Sequence, residues 1–210
     1  MKINEFFNEV FLINLKRRPD RLKLSTDKLN KLGIEFTLFE AVDGKMCIEE
    51  YQTNIKPGQL GCLLSHLNLI KHAKEKDLSN LLILEDDVSF NENFNNLFKE
   101  SVKELPEDWD MFYLGGNAIV GQNTKITDTI FKSNQVGTTH SYAIKNTIYD
   151  LILESNKYEL PIDSLFTEVL NRKVNTYIIS PAITFQDESF SDVQDGHRNY
   201  TFLKNRKIEL

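Results

Sequence analysis

Three consecutive carboxylates, Glu85-Asp86-Asp87, follow directly on the apolar run Leu81-Leu82-Ile83-Leu84. Ionised carboxylates this close repel one another. The repulsion becomes useful when a hard divalent cation takes their oxygens as ligands and keeps positions open for substrate phosphates. On an extended backbone, alternation sends Glu85 and Asp87 to one side and Asp86 to the other. The plainer role for Asp86 and Asp87 is to end a strand, because Asp favours turns. Lys16-Arg17-Arg18-Pro19-Asp20-Arg21 sets guanidinium groups at a helix start, where free backbone N–H groups also converge. That is a cradle for phosphate, or a solvated charged turn. Asp43-Gly44 is an Asx turn, or a carboxylate able to accept from a ribose or base. Ser65 and His66 share a small polar helix face suited to a cleft wall, with a buried structural histidine as the alternative. Asp163, in the first turn of a helix, either stabilises the positive helix end or aims its carboxylate into a cleft.

The elements that must position these groups follow from hydrophobic period. Residues 81–84 read as a strand buried on both faces, as in a parallel sheet, whose C-terminal edge is where open α/β folds bind ligands. Residues 10–15 form a first strand. A helix then runs to about Leu32, with Leu22, Leu29 and Leu32 inward and Gly33 as its stop. A second strand covers 34–41. Pro57-Gly58 opens a helix to about Lys76 that buries Leu60, Leu63, Leu64 and Leu67 and turns Cys62, Ser65, His66 and Leu69 the other way. Helices are predicted over 91–103, over 145–155 and from Pro161, and strands over 109–114, 138–144 and 175–181. Residues 121–134 read as an irregular loop or edge ribbon and a candidate flap. The aperiodic tail from Gln186 is either disordered or ordered by what it covers.

The chain of 210 residues fits one domain, with a core over about 9–185 and the tail over the cleft or flexible. Its net charge of −6 argues against a broad cationic surface for nucleic acid. Two cysteines, Cys47 and Cys62, are too few for a disulfide framework and point to a reducing, cytoplasmic setting. Neither a signal-peptide core nor a membrane span is expected.

Four motifs occur in order: Phe11-Leu12-Ile13-Asn14-Leu15 with Arg17, Arg18 and Arg21; Ala41-Val42-Asp43-Gly44; Gly58-Gln59-Leu60-Gly61-Cys62-Leu63-Leu64-Ser65-His66; and Ile83-Leu84-Glu85-Asp86-Asp87-Val88. Together they resemble glycosyltransferase family 25, the group of lipopolysaccharide-oligosaccharide glycosyltransferases and procollagen galactosyltransferases. The resemblance implies an α/β fold of the GT-A nucleotide-diphosphosugar transferase type, with a mostly parallel central sheet flanked by helices. Glu85-Asp86-Asp87 stands where that fold has its Asp-X-Asp signature. It further implies an inverting hexosyl transfer, galactose or glucose, from a UDP-sugar to a glycan, lipooligosaccharide or hydroxylated peptide, with Mn²⁺ or Mg²⁺ at the leaving group. Asp87 is the first choice of metal ligand, joined by Glu85 and His197. Asn14, Leu15, Arg17, Arg18, Arg21, Asp43, Gly44, Gly61, Ser65, His66, Glu85 and Asp86 would line the nucleotide-sugar side. Asp163 would be the general base, and Asp192 and His197 would help close the site. Two other readings fit the same residues: a phosphatase with an aspartate nucleophile, and a non-catalytic sugar-nucleotide-binding module.

Overall fold

The computed structural model describes residues 1–155, 157–193, 196–198, 204 and 207–208, with the side chains of 189–191, 197 and 198 outside that description. A short helix α1 (Ile3–Phe6) leads into β1 (Glu9–Asn14), α2 (Pro19–Leu32), β2 (Thr37–Glu40), a one-turn α3 (Gly44–Cys47) and the long α4 (Pro57–Glu75). Next come β3 (Asn80–Glu85), β4 (Val88–Phe90), α5 (Phe94–Glu104), β5 (Met111–Tyr113), β6 (Asn117–Ala118), β7 (Asn123–Lys125), β8 (Ile130–Ser133), β9 (Val136–Gly137) and β10 (Ser141–Lys145). The chain continues with α6 (Tyr149–Ser155), α7 (Ile162–Ser164) running into a π-helical turn Leu165–Leu170, β11 (Thr176–Ile179), β12 (Thr184–Gln186), β13 (Ser189–Ser191) and β14 (Gly196–Arg198).

Eight strands form the central sheet in the order β2-β1-β3-β10-β5-β11-β8-β7. The pairs β1–β2, β1–β3 and β5–β11 are parallel, whereas β10 is antiparallel to both its neighbours and β8 to both of its own. Only β10 and β8 therefore run against the common direction, so the sheet is mostly parallel, as predicted. The carboxyl ends of β1, β2 and β3 and the start of β10 meet at one edge. There the Ala41 N–H donates to Asn14 O at 2.9 Å and the Glu85 N–H to His140 O at 3.0 Å.

Alternation on the inner strands explains why that edge is well fixed. β1 sends Phe11 and Ile13 to one face and Val10 and Leu12 to the other; β3 does the same with Leu81 and Ile83 against Leu82 and Leu84. One face is covered by α4, α6 and the turn Leu165–Leu170, the other by α2 and α5 with Trp109 and Phe7. Each buried Leu or Phe contributes roughly 1.5–3 kcal/mol, so the strands form a stiff floor and their polar ends project from it. No helix among the described residues is long and apolar enough to cross a membrane.

Two helices differ from the sequence reading. On α2 the buried residues are Arg21, Ser25 and Leu29, with Leu22 and Leu32 only half-buried, because the i, i+4, i+8 row faces the turn after β3. On α4 apolar side chains occupy nearly the whole circumference, so Leu69 belongs to the core while Cys62, Ser65 and His66 border a cleft. The segment 121–134 forms the β7–β8 ribbon at the sheet margin, and none of it borders the cleft. Gln186 is the end of β12, which pairs with β4, and a β13–β14 hairpin follows.

Candidate active site

The acidic triplet lies where β3 gives way to a turn. Glu85 is the last strand residue and Asp86-Asp87 form the turn into β4. Alternation holds only while the backbone is extended, so the predicted split of Glu85 and Asp87 from Asp86 does not occur. Instead, Arg21 of α2 bridges the two aspartates, with Nη1 2.7 Å from Asp86 Oδ1 and Nη2 2.9 Å from Asp87 Oδ2. Asn14 at the end of β1 donates to Asp86 Oδ2 at 2.7 Å, and the Ser25 hydroxyl donates to the Asp86 carbonyl at 2.6 Å. Glu85 turns towards α4 and β10: Thr139 Oγ1 donates to Oε1 at 2.6 Å, and His66 Nε2 lies 3.3 Å from the same oxygen.

One guanidinium shared by a buried and a half-buried carboxylate compensates them incompletely. Burial and the Glu85 charge push the Asp87 carboxyl up to about 7 against the pull of Arg21. Burial likewise raises Asp86 to about 6, opposed by Arg21 and the Asn14 hydrogen bond. Burial also raises Glu85, but the adjoining His66 imidazole and the Thr139 hydroxyl outweigh it, and the net shift is downward. Asp87 Oδ1 and Gln186 Oε1 are buried with no hydrogen-bond partner among the described residues. Gln186 arrives through the pairing of β12 with β4 and donates weakly to Asp87 Oδ2 at 3.4 Å. Two acceptor oxygens left open beside an acidic turn are a donor set suited to a hard cation.

The facing wall is basic. Arg17 Nε donates to Asp43 Oδ2 at 2.6 Å and its Nη1 to Asp192 Oδ1 at 2.6 Å, while Arg18 pairs with the other oxygen of Asp192 and with Asp20. Burial raises the Asp192 carboxyl, but the two guanidinium groups outweigh it and hold it below the ordinary carboxylate value. Asp43 also caps α3, its Oδ1 accepting from the Lys45 N–H at 3.2 Å. Ser65 is committed to backbone, accepting from the Val42 N–H at 2.8 Å and donating to Gly61 O at 2.6 Å, so it braces the 42–44 turn. Gly61 does the same by its lack of a side chain: a Cβ there would lie 2.6 Å from both Gly44 N and Val42 O.

Asp163 closes the third side. It is exposed, but towards a concave wall, and the loss of surrounding water raises its carboxyl even though the Ser164 N–H donates to Oδ1 at 2.8 Å. His66 is anchored from behind by Tyr142, whose hydroxyl lies 2.8 Å from Nδ1.

Of the residues singled out by sequence, Asn14, Leu15, Arg17, Arg21, Asp43, Gly44, Ser65, His66, Glu85, Asp86, Asp87 and Asp163 border one cleft. Arg18 and Gly61 stand behind its wall, and the side chain of His197 lies outside the described residues. Arg21 neutralises the acidic turn instead of standing free for a phosphate. Gln186 and Asp187 border the cleft without having been anticipated. Their only sequence signal would have been the β4–β12 pairing, which joins segments about a hundred positions apart.

The family model described as Glycosyltransferase family 25 (LPS biosynthesis protein) matches residues 7–166. Procollagen galactosyltransferase 1-B of Xenopus laevis is 36% identical over 129 residues, covering 52% of this chain and 21% of that protein. Procollagen galactosyltransferase 2 of Homo sapiens is 33% identical with the same coverage, and the human Inactive glycosyltransferase 25 family member 3 is 31% identical, with 22% of its length covered. The chain thus spans about a fifth of these relatives. Among solved structures, a glycosyltransferase involved in the glycosylation of the major capsid of PBCV-1 superposes with a TM-score of 0.54 at 10% identity, covering 89% of this chain and 95% of that one. The inositol-1-phosphate CTP transferase from T. maritima gives 0.52 at 12% identity, covering 95% and 94%. These likenesses bear out the nucleotide-sugar-transferase type of α/β fold. With the family model matching residues 7–166 of 210, the chain belongs to glycosyltransferase family 25.

Proposed function

We propose that the cleft transfers a hexose from a nucleoside diphosphate sugar, UDP-galactose or UDP-glucose, to a hydroxyl of a glycan, lipooligosaccharide or hydroxylated peptide, with inversion. The observation that carries this reading is the buried Asp87 Oδ1 at the sheet edge, unpartnered among the described residues and bordering the same cleft as Arg17. The names of the relatives, procollagen galactosyltransferases, favour galactose and a hydroxylated peptide, and the family description favours lipopolysaccharide.

Asp87 and Glu85 would hold a Mn²⁺ or Mg²⁺ ion, which when bound neutralises charge on the departing diphosphate. Arg17 supplies the diphosphate with a two-pronged donor at the end of β1, with Arg18 behind it. Asp43, held at the end of the 42–44 turn, faces the ribose. As the acceptor oxygen bonds to the anomeric carbon, the bond from that carbon to the diphosphate oxygen breaks and the acceptor proton passes to the Asp163 carboxylate. Desolvation makes Asp163 a better proton acceptor than an ordinary aspartate. The family model favours transfer over an aspartate-nucleophile phosphatase. The test is UDP release from each UDP-sugar by purified protein with Mn²⁺ and an acceptor panel. Release that depends on acceptor supports the proposal. UDP binding without any release would leave the binding module in its place.

A further inference from the structure

We infer that Cys62, His66 and Glu85 form a second cation site, selective for a borderline-soft ion such as Zn²⁺ and distinct from the hard-cation position at Asp87. One ligand atom from each of the three lies within 4.8 Å of the others, and all three residues border the cleft. Cys62 and His66 are spaced i, i+4 on α4, which stacks them on one helix face; Glu85 reaches them from the end of β3. The His66 ring is 1% exposed, and its Nε2, 3.3 Å from Glu85 Oε1, makes no aligned hydrogen bond among the described residues. Tetrahedral zinc with bonds of about 2.0–2.3 Å needs ligand atoms roughly 3.3–3.7 Å apart, and His66 Nε2 and Glu85 Oε1 already stand 3.3 Å apart.

The surrounding contacts fit a metal-ligating histidine. Its other ring nitrogen is held by the Tyr142 hydroxyl at 2.8 Å and Glu85 by the Thr139 hydroxyl at 2.6 Å, the outer contacts that orient imidazole and carboxylate ligands. Sulfur, imidazole and one carboxylate select zinc or cobalt over manganese or magnesium, and the fourth position opens to the cleft. On binding, the Cys62 thiol releases its proton to buffer as the sulfur lone pair bonds to the ion. Occupancy takes Glu85 from the acidic triplet, so zinc would inhibit whatever the hard cation supports there. The site itself does not rest on the transfer reading.

The experiment titrates Co²⁺ into protein carrying Cys47→Ser, which leaves Cys62 as the single thiol, and records its absorption spectrum. Expected are a thiolate-to-cobalt charge-transfer band with the strong visible bands of a four-coordinate ion, both abolished by one equivalent of Zn²⁺ and protection of Cys62 from alkylation. Tyr142→Phe should weaken Co²⁺ affinity about tenfold to a hundredfold, with the circular dichroism spectrum unchanged. A weak octahedral spectrum without a sulfur band, or alkylation at the same rate with and without metal, would overturn the proposal. Manganese produces no such band, so failure of the transfer assay leaves this result readable.

Discussion

Arg21 Nη2 sits 2.9 Å from Asp87 Oδ2, while the other oxygen of the same carboxylate is buried with no partner among the described residues. The arrangement costs stability. A carboxyl whose folded value is raised from 3.8 to about 7 keeps its proton longer in the folded protein than in the unfolded chain. Its favourable contribution is complete below about pH 4 and is lost as pH rises through about 7. Asp87→Asn removes the buried charge and leaves Arg21 its Asp86 partner. We predict that, without metal, this variant is more stable than the parent at pH 8 by about 1–3 kcal/mol, with the gain vanishing near pH 4. Thermal melts across that range check it; a variant destabilised at pH 8 would make Asp87 a structural residue.

Asp192 occupies both Arg17 and Arg18, the groups proposed to meet a diphosphate. A bound diphosphate must displace it. Asp192→Ala is therefore expected to tighten UDP binding about three- to tenfold, since a partly exposed ion pair is worth on the order of 1 kcal/mol. Calorimetry compares the two proteins. Weaker binding in the variant would instead mean that Asp192 helps to enclose the nucleotide.

Gly61→Ala inserts a methyl 2.6 Å from Gly44 N and Val42 O, both backbone atoms. Either α4 or the 42–44 turn must shift, at about 1–3 kcal/mol. Denaturant melts should show that loss, and UDP affinity should fall with it because Asp43 moves with the turn.

Asp163→Asn retains the helix end and the Ser164 N–H contact but cannot take up a proton. The expected outcome is a loss of about 10²–10⁴ in kcat with UDP-sugar affinity unchanged. Because Asp163 is shifted upward, the parent's kcat should rise with pH along a limb set above the ordinary carboxylate range, and the variant should lack that limb. Steady-state rates from pH 4 to 8 measure both.

Much of this arrangement was legible in sequence because the informative signals were local. The apolar runs of β1 and β3 alternate between two cores, and the stripe on α4 and the glycines at 33 and 44 mark their helix and turn. What stayed hidden depends on contacts between distant segments. The reversed β10 enters between β3 and β5 and supplies Tyr142 to the site, with Thr139 just ahead of it. The β4–β12 pair brings Gln186 against Asp87. The orientation of the triplet escapes a period-two rule because Asp86 and Asp87 lie one and two residues past the end of the strand. Arg21 was read as a phosphate ligand because its charge is visible in sequence and its buried acidic partners are not.

The central claim is that Asp87 and its neighbours hold a cation and, through it, a diphosphate. Calorimetric titration of UDP into the parent and Asp87→Asn, each with Mn²⁺ and with chelator, tests it most directly. The prediction is binding by the parent with Mn²⁺, at least about tenfold weaker with chelator, and no manganese dependence in the variant. UDP affinity unchanged by chelator and by the substitution would contradict it.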